Sequence, residues 1–231
     1  MTLVGADFDS LKEGYRDEVN RSIAFLGQDH QFFVEAKATS IVEVARRHLG
    51  EPGRLRALDV GCGVGLVDAS LVGAFGRLCG VDVAAGALEQ ARRRNPTVSY
   101  EAYDGEGLPF ADASFDLIFA VNVLHHVPPE RREAFVNQMR RVVRSGGLGL
   151  LFEHNPLNPL TLRAVRRCAF DQGVTLSRRG TSHQLMARCG WRVAETRYIL
   201  FFPWRHAVLS AVERRLGWLP LGAQYYIAAT A

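Results

Sequence analysis

The stretch Leu58-Asp-Val-Gly-Cys-Gly-Val-Gly65 constrains the fold of this chain more than any other. The apolar run Leu55–Val60 leads into it and reads as a buried strand, and residues 66–75 behind it read as a helix. Glycines at 61, 63 and 65 allow a tight turn that brings backbone N–H groups close to a ligand. A strand, a glycine turn and a helix are half of a βαβ unit, which commits the chain to a parallel sheet if the alternation continues.

It does continue. Strand patterns recur at Leu78–Val83, Val98–Ala102, Phe115–Val121 and Leu148–Glu153. Helix patterns lie between them at Ala85–Arg94 and 130–144, the latter with Ala134, Phe135, Met139, Val142 and Val143 inward and Gly146-Gly147 as its stop signal. Residues 7–49 read as a helical cap broken at Gly27, with a tyrosine, Tyr15, near its start. Residues 155–180 leave the rhythm: NPLNP is turn chemistry, and Leu160–Phe170 reads as a lid helix with Arg163, Arg166 and Arg167 on one face. A helix at 181–189, a strand at Arg192–Phe202, a helix at 206–217 and a strand at Gln224–Thr230 complete one domain over 1–231, with 55–153 as its core and 181–231 as the rest of the sheet. Such a sheet binds ligands at the carboxyl ends of its strands.

Composition narrows the function. The 231 residues are 48% hydrophobic, enough for a sizeable core. The net charge of +4 comes from scattered arginines, only Lys12 and Lys37 being lysines, so no basic face or stripe suggests nucleic acid. Cys62, Cys79, Cys168 and Cys189 form no C-x-x-C pair, which with the absence of a signal peptide or membrane span points to reduced thiols and a cytoplasmic setting. No His, Cys and carboxylate set has metal-ligand spacing along the chain, so no metal is expected.

The loop itself separates ligands. A dinucleotide fingerprint requires glycine at 66, which is Leu66, and counting from Gly63 puts Asp68 in the last place. Asp59 stands immediately before the loop, where its carboxylate repels a diphosphate and favours a cation such as a sulfonium or ammonium. LDVGCGVG resembles the first motif of the class I S-adenosylmethionine-dependent methyltransferases, closest to the ubiquinone-biosynthesis-like group. Further matches follow in order: Gly80-Val-Asp82-Val83, Asp104-Gly105-Glu106 ahead of the fourth strand, Asn122 after it, VNVLHHV, and Gly146-Gly147. The resemblance implies a Rossmann-like α/β fold with a mostly parallel seven-stranded sheet, helices on both faces and an antiparallel last strand. It implies S-adenosyl-L-methionine as cofactor, held by Asp59, Gly61, Cys62, Gly63, Gly65, Asp82, Val83, Asp104, Gly105 and Asn122. Asp82 takes the place of the acid that holds the ribose hydroxyls, and Asp104 lies in the adenine segment. Cys62 also reads as a small buried filler.

Transfer to a protonated oxygen or nitrogen needs alignment and a base. His125, just past the fourth strand, is the first candidate, its neighbour His126 being expected to point elsewhere. Glu153, at the end of the fifth strand, is positioned to orient it; His154 is a second candidate base, and Tyr15 resembles the tyrosine that caps the cofactor in related enzymes. Phe201–Trp204 is a candidate wall of the substrate cavity. The expected activity is methyl transfer to O, N or C of a small metabolite, with a homodimer as one arrangement open to the chain. A cofactor-binding partner subunit without activity and an RNA methyltransferase remain alternatives.

Overall fold

The computed structural model describes residues 15–204 and 207–231. Seven strands form one sheet: β1 (Arg56–Val60), β2 (Arg77–Asp82), β3 (Ser99–Ala102), β4 (Phe115–Val121), β5 (Val143–His154), β6 (Arg192–Ile199) and β7 (Gln224–Thr230). Their order is β3-β2-β1-β4-β5-β7-β6. The first five pair in parallel, and β7 runs antiparallel between β5 and β6. This is the Rossmann-like α/β fold that the sequence implies. The chain winds outward from β1 to β3 and then restarts on the other side of β1 with β4, which opens a crevice at the carboxyl ends of β1 and β4.

Alternation along each strand divides the core in two. Leu58, Val60, Ile118, Ala120, Leu151 and Ile227 face one side, beneath α5 (Arg132–Val142) and α7 (Arg179–Arg188), which supply Phe135, Val136, Met139, Leu185 and Met186. Ala57, Leu117, Phe119, Leu150, Phe152 and Tyr226 face the other, beneath α2 (His30–Leu49) and α4 (Ala85–Arg94), which supply Ala38, Ile41, Ala45, Leu88 and Ala91. Asp29 caps α2 by accepting the Phe32 N–H at 3.1 Å, and Gly50 ends it. The remaining helices are α1 (Tyr15–Ile23), α3 (Leu66–Ala69), α6 (Pro159–Arg167) and α8 (Ala207–Leu216).

Several boundaries differ from the sequence reading. The helix after the glycine loop is only Leu66–Ala69, and turns carry the chain on to Gly73, which has a left-handed φ of 77°. The helical cap is interrupted at the left-handed Gly27, as the sequence reading has it, and its first residues lie outside the described part. Gly146-Gly147 does not stop α5, which ends at Val142; both glycines belong to the irregular start of β5, where a side chain at 147 would meet the Asp116 carbonyl at 2.8 Å. Ala134 is exposed, and Val136 is the inward residue in its place.

Candidate active site

The glycine turn is held from below by a buried polar network. Gly61, Gly63 and Gly65 all have positive φ. A side chain at 61 would sit 2.5 Å from Val123, and one at 65 would meet Asn95 Nδ2 at 2.7 Å and the Tyr100 hydroxyl at 2.8 Å. Asn95 donates to the Gly65 carbonyl and the Tyr100 hydroxyl to Asp68, each at 2.8 Å. Asp59 is buried close to Asp68, and the Oδ1 atom of each has no hydrogen-bond partner. Two buried carboxyls this close oppose each other's ionisation. Burial raises Asp68 to about 6, and burial with the nearby Asp68 and Asp82 raises Asp59 well above the carboxylate range. The surroundings of Asp59 thus favour its neutral form, against the bare carboxylate that the sequence suggested.

Asp82 closes β2 and clamps the loop: its carboxylate accepts the Gly63 N–H at 2.8 Å and the Ala84 N–H at 2.9 Å. The crevice above has a volume of about 350 Å³ and is lined by Asp59, Gly61, Cys62, Gly63, Asp82, Val83, Asp104, Gly105 and Asn122. Gly65 alone among the loop candidates is absent from this wall; its part is to make room for Asn95 and Tyr100. Val83 sits on the rim, 40% exposed. Asp104 is solvent-facing, and the N–H groups of Glu106 and Gly107 hold its carboxyl below the ordinary range. Burial, then the three aspartates 68, 59 and 82, raises the Cys62 thiol, which stays protonated and acts as filler. Asn122 has the left-handed φ of 58°, donates its N–H to the Phe152 carbonyl, and points a buried Oδ1 that has no partner.

A second cavity of about 140 Å³ opens beyond the first. Its walls are mostly apolar, from Ile23, Leu26, Phe33, Val165 and Phe170, and its floor is His125, His126, His154 and Asp171. His30, Lys37, Asn122, His126 and Phe170 line both cavities. His126 thus faces the boundary instead of turning away. Glu153, 1% exposed, accepts the Leu124 N–H at 2.8 Å and holds His125 Nδ1 at 2.7 Å. His125 Nε2 lies 3.5 Å from Asp171. Burial disfavours a charged ring, but Glu153 and Asp171 outweigh it and raise His125 to about 9. Burial and the charge on His125 then push His126 and His154 to about 4 each. Lys37 lies on the buried stripe of α2; burial lowers it to about 8 against the pull of Asp59 and Glu153.

Two readings are corrected here. Phe201–Trp204 line neither cavity, and Trp204 is 62% exposed; Leu200, just before them, is the wall residue. The lid arginines Arg163 and Arg167 stack on Phe25, at 4.5 and 5.8 Å from its ring centre. The ligand-bearing atoms of His125, His154 and Asp171 come within 4.8 Å of one another, a set that no spacing in the sequence announced. The Tyr15 side chain lies outside the described residues. Sequence reasoning missed Lys37, whose signal was a charge on an apolar stripe, and Asp171, which had none.

Residues 57–147 match the methyltransferase domain family. Over that part of its length the chain is similar to the class I S-adenosylmethionine-dependent methyltransferases. The chain is 39% identical over 99 residues to methyltransferase GfsG of Streptomyces halstedii, covering 40% of this chain and 35% of that one. It is 34% identical over 99 residues to 27-O-demethylrifamycin SV methyltransferase of Amycolatopsis mediterranei, covering 40% and 36%. It therefore spans about a third of the length of each relative. Its fold resembles that of an S-adenosylmethionine-dependent methyltransferase from Mesorhizobium loti, with a TM-score of 0.60 at 20% identity over 84% of this chain and all of the other. The cofactor of the class is S-adenosylmethionine, and the crevice suits it: the orphaned Asn122 Oδ1 and the Asp82 carboxylate are acceptors at its wall, and Gly61 and Gly63 leave it open. No described helix is long and apolar enough to cross a membrane.

Proposed function

We propose that the protein methylates an oxygen or nitrogen atom of a small molecule seated in the second cavity. S-adenosylmethionine, when bound, supplies the electrophilic methyl group. Asp82, Asn122 and the glycine loop hold it, with Asp104, Gly105 and Val83 at the rim. The observation that carries the reading is the common wall of the two cavities, since alignment of donor and acceptor supplies up to ~7–11 kcal/mol of the barrier to such displacements. Apolar walls exclude water from the acceptor, and the neutral rings of the floor, His126 and His154, take its proton. His125, fixed by Glu153, and His154 border only the second cavity, and His126 stands at the boundary. The modest size of the cavity favours a small acceptor or one small arm of a larger one. The relative from Amycolatopsis, named for an O-methylation of a rifamycin, acts on an acceptor of this kind. Calorimetric titration with S-adenosylmethionine, followed by a survey of hydroxylated and amino acceptors for S-adenosylhomocysteine release, tests the proposal. Cofactor binding without product from any acceptor leaves a binding module and refutes it.

A further inference from the structure

We infer that His125, His154 and Asp171 form a binding site for one divalent transition-metal ion, with its open coordination positions toward the second cavity. Two imidazoles and one carboxylate with open positions are a common donor set for ions of the zinc, iron and cobalt type, whereas magnesium prefers oxygen alone. The three residues come from separate segments: the turn after β4, the end of β5 and the short helical turn Ala169–Asp171. Their donor atoms lie within 4.8 Å of one another. An ion with bonds of about 2.1 Å holds neighbouring ligand atoms about 3–3.4 Å apart. His125 Nε2 and Asp171 Oδ1, at 3.5 Å, already have that separation.

The surroundings are those of a ligand set. His125 Nε2 is buried without a hydrogen bond, while Nδ1 is engaged by Glu153 at 2.7 Å, the outer carboxylate that commonly orients a metal-bound histidine. Gln224 Nε2 approaches His154 Nδ1 at 3.4 Å and holds that ring against the end of β7. Two carboxylates, Asp171 inside and Glu153 outside, balance the two positive charges of the ion. Because these ligands floor the second cavity, the ion would coordinate the acceptor through its oxygen or nitrogen and promote loss of its proton, which selects acceptors able to chelate. That use rests on the methyl-transfer reading; the site itself does not.

The test uses the full chain stripped with chelator and free of any histidine tag. It is titrated with Zn²⁺ in a calorimeter and with Co²⁺ by visible absorption. The expected result is one ion per chain, with at least tenfold weaker binding in His154→Ala and Asp171→Asn and no change in His183→Ala, an exposed histidine of α7. S-adenosylmethionine titration of each variant is run alongside. Retained cofactor affinity shows that the variant is folded, and loss of metal binding then belongs to the site. Metal binding in a protein that takes no cofactor would sink the methyl-transfer reading and leave this one standing. Absence of Co²⁺ absorption at millimolar metal, or affinity indifferent to both ligand substitutions, overturns the site and leaves His125 and Asp171 as an ion pair.

Discussion

The Asp82 side chain ties the cofactor crevice to the loop that forms it, and its removal has two separable effects. The carboxylate accepts N–H groups from Gly63 at 2.8 Å and Ala84 at 2.9 Å. Hydrogen bonds to a charged group contribute about 1.5–3 kcal/mol each when buried. Asp82 is only half-buried, so water replaces part of both, and Asp82→Ala should cost about 1–2 kcal/mol of stability in urea unfolding. The effect on binding is larger. The variant loses an ionised acceptor in the crevice and frees the Gly63 N–H that shapes the turn. Losing about 2–4 kcal/mol of binding weakens affinity by roughly 30- to 1,000-fold. Asp82→Asn keeps one acceptor oxygen and should fall between. Calorimetric titration with S-adenosylmethionine at fixed pH and salt reads the effect. Affinity of Asp82→Ala within threefold of the parent protein would refute the placement of the cofactor against β2.

Gly65→Ala combines a left-handed φ of 69° with contacts below 3 Å to Asn95 and Tyr100, so it should destabilise the protein by about 2–4 kcal/mol, read as a lower urea midpoint with unchanged slope. Lys37 titrates near 8, below its unfolded value of about 10.4, so the unfolded chain binds more protons between these values and this group makes stability rise with pH across that window. With only two lysines in the chain, NMR of the ¹³C-dimethylated protein, compared with that of Lys37→Arg to set aside the α-amino signal, should show a Lys37 resonance titrating near pH 8; an ordinary lysine titration for it would remove Lys37 from the buried stripe. His125→Ala should lower turnover by about 100-fold or more while cofactor affinity changes little, and wild-type turnover would reduce His125 to packing.

The sheet was legible because its signals are local. β4 and β7 fall at the positions their apolar runs predict, and α4 is bounded by residues that the sequence marks. The glycine turn was equally legible, since three positive-φ positions need glycine. The second cavity was not. His125 and Glu153 are linked only because β4 and β5 are neighbours, and Asp171 arrives from a turn whose direction depends on α6 packing over α1. Nor does sequence reveal which carboxyls are desolvated: Asp59 and Asp68 both look like surface charges until the fold buries them together.

The place of β7 bears on how the chain is made. β6 pairs only with β7, which follows it in sequence, so during synthesis β6 emerges with both edges open. A bare strand of that kind recruits strands from neighbouring chains. Arg192, Glu195 and Arg197 interrupt β6 with charge, and they guard the nascent protein against aggregation in the interval before its partner arrives.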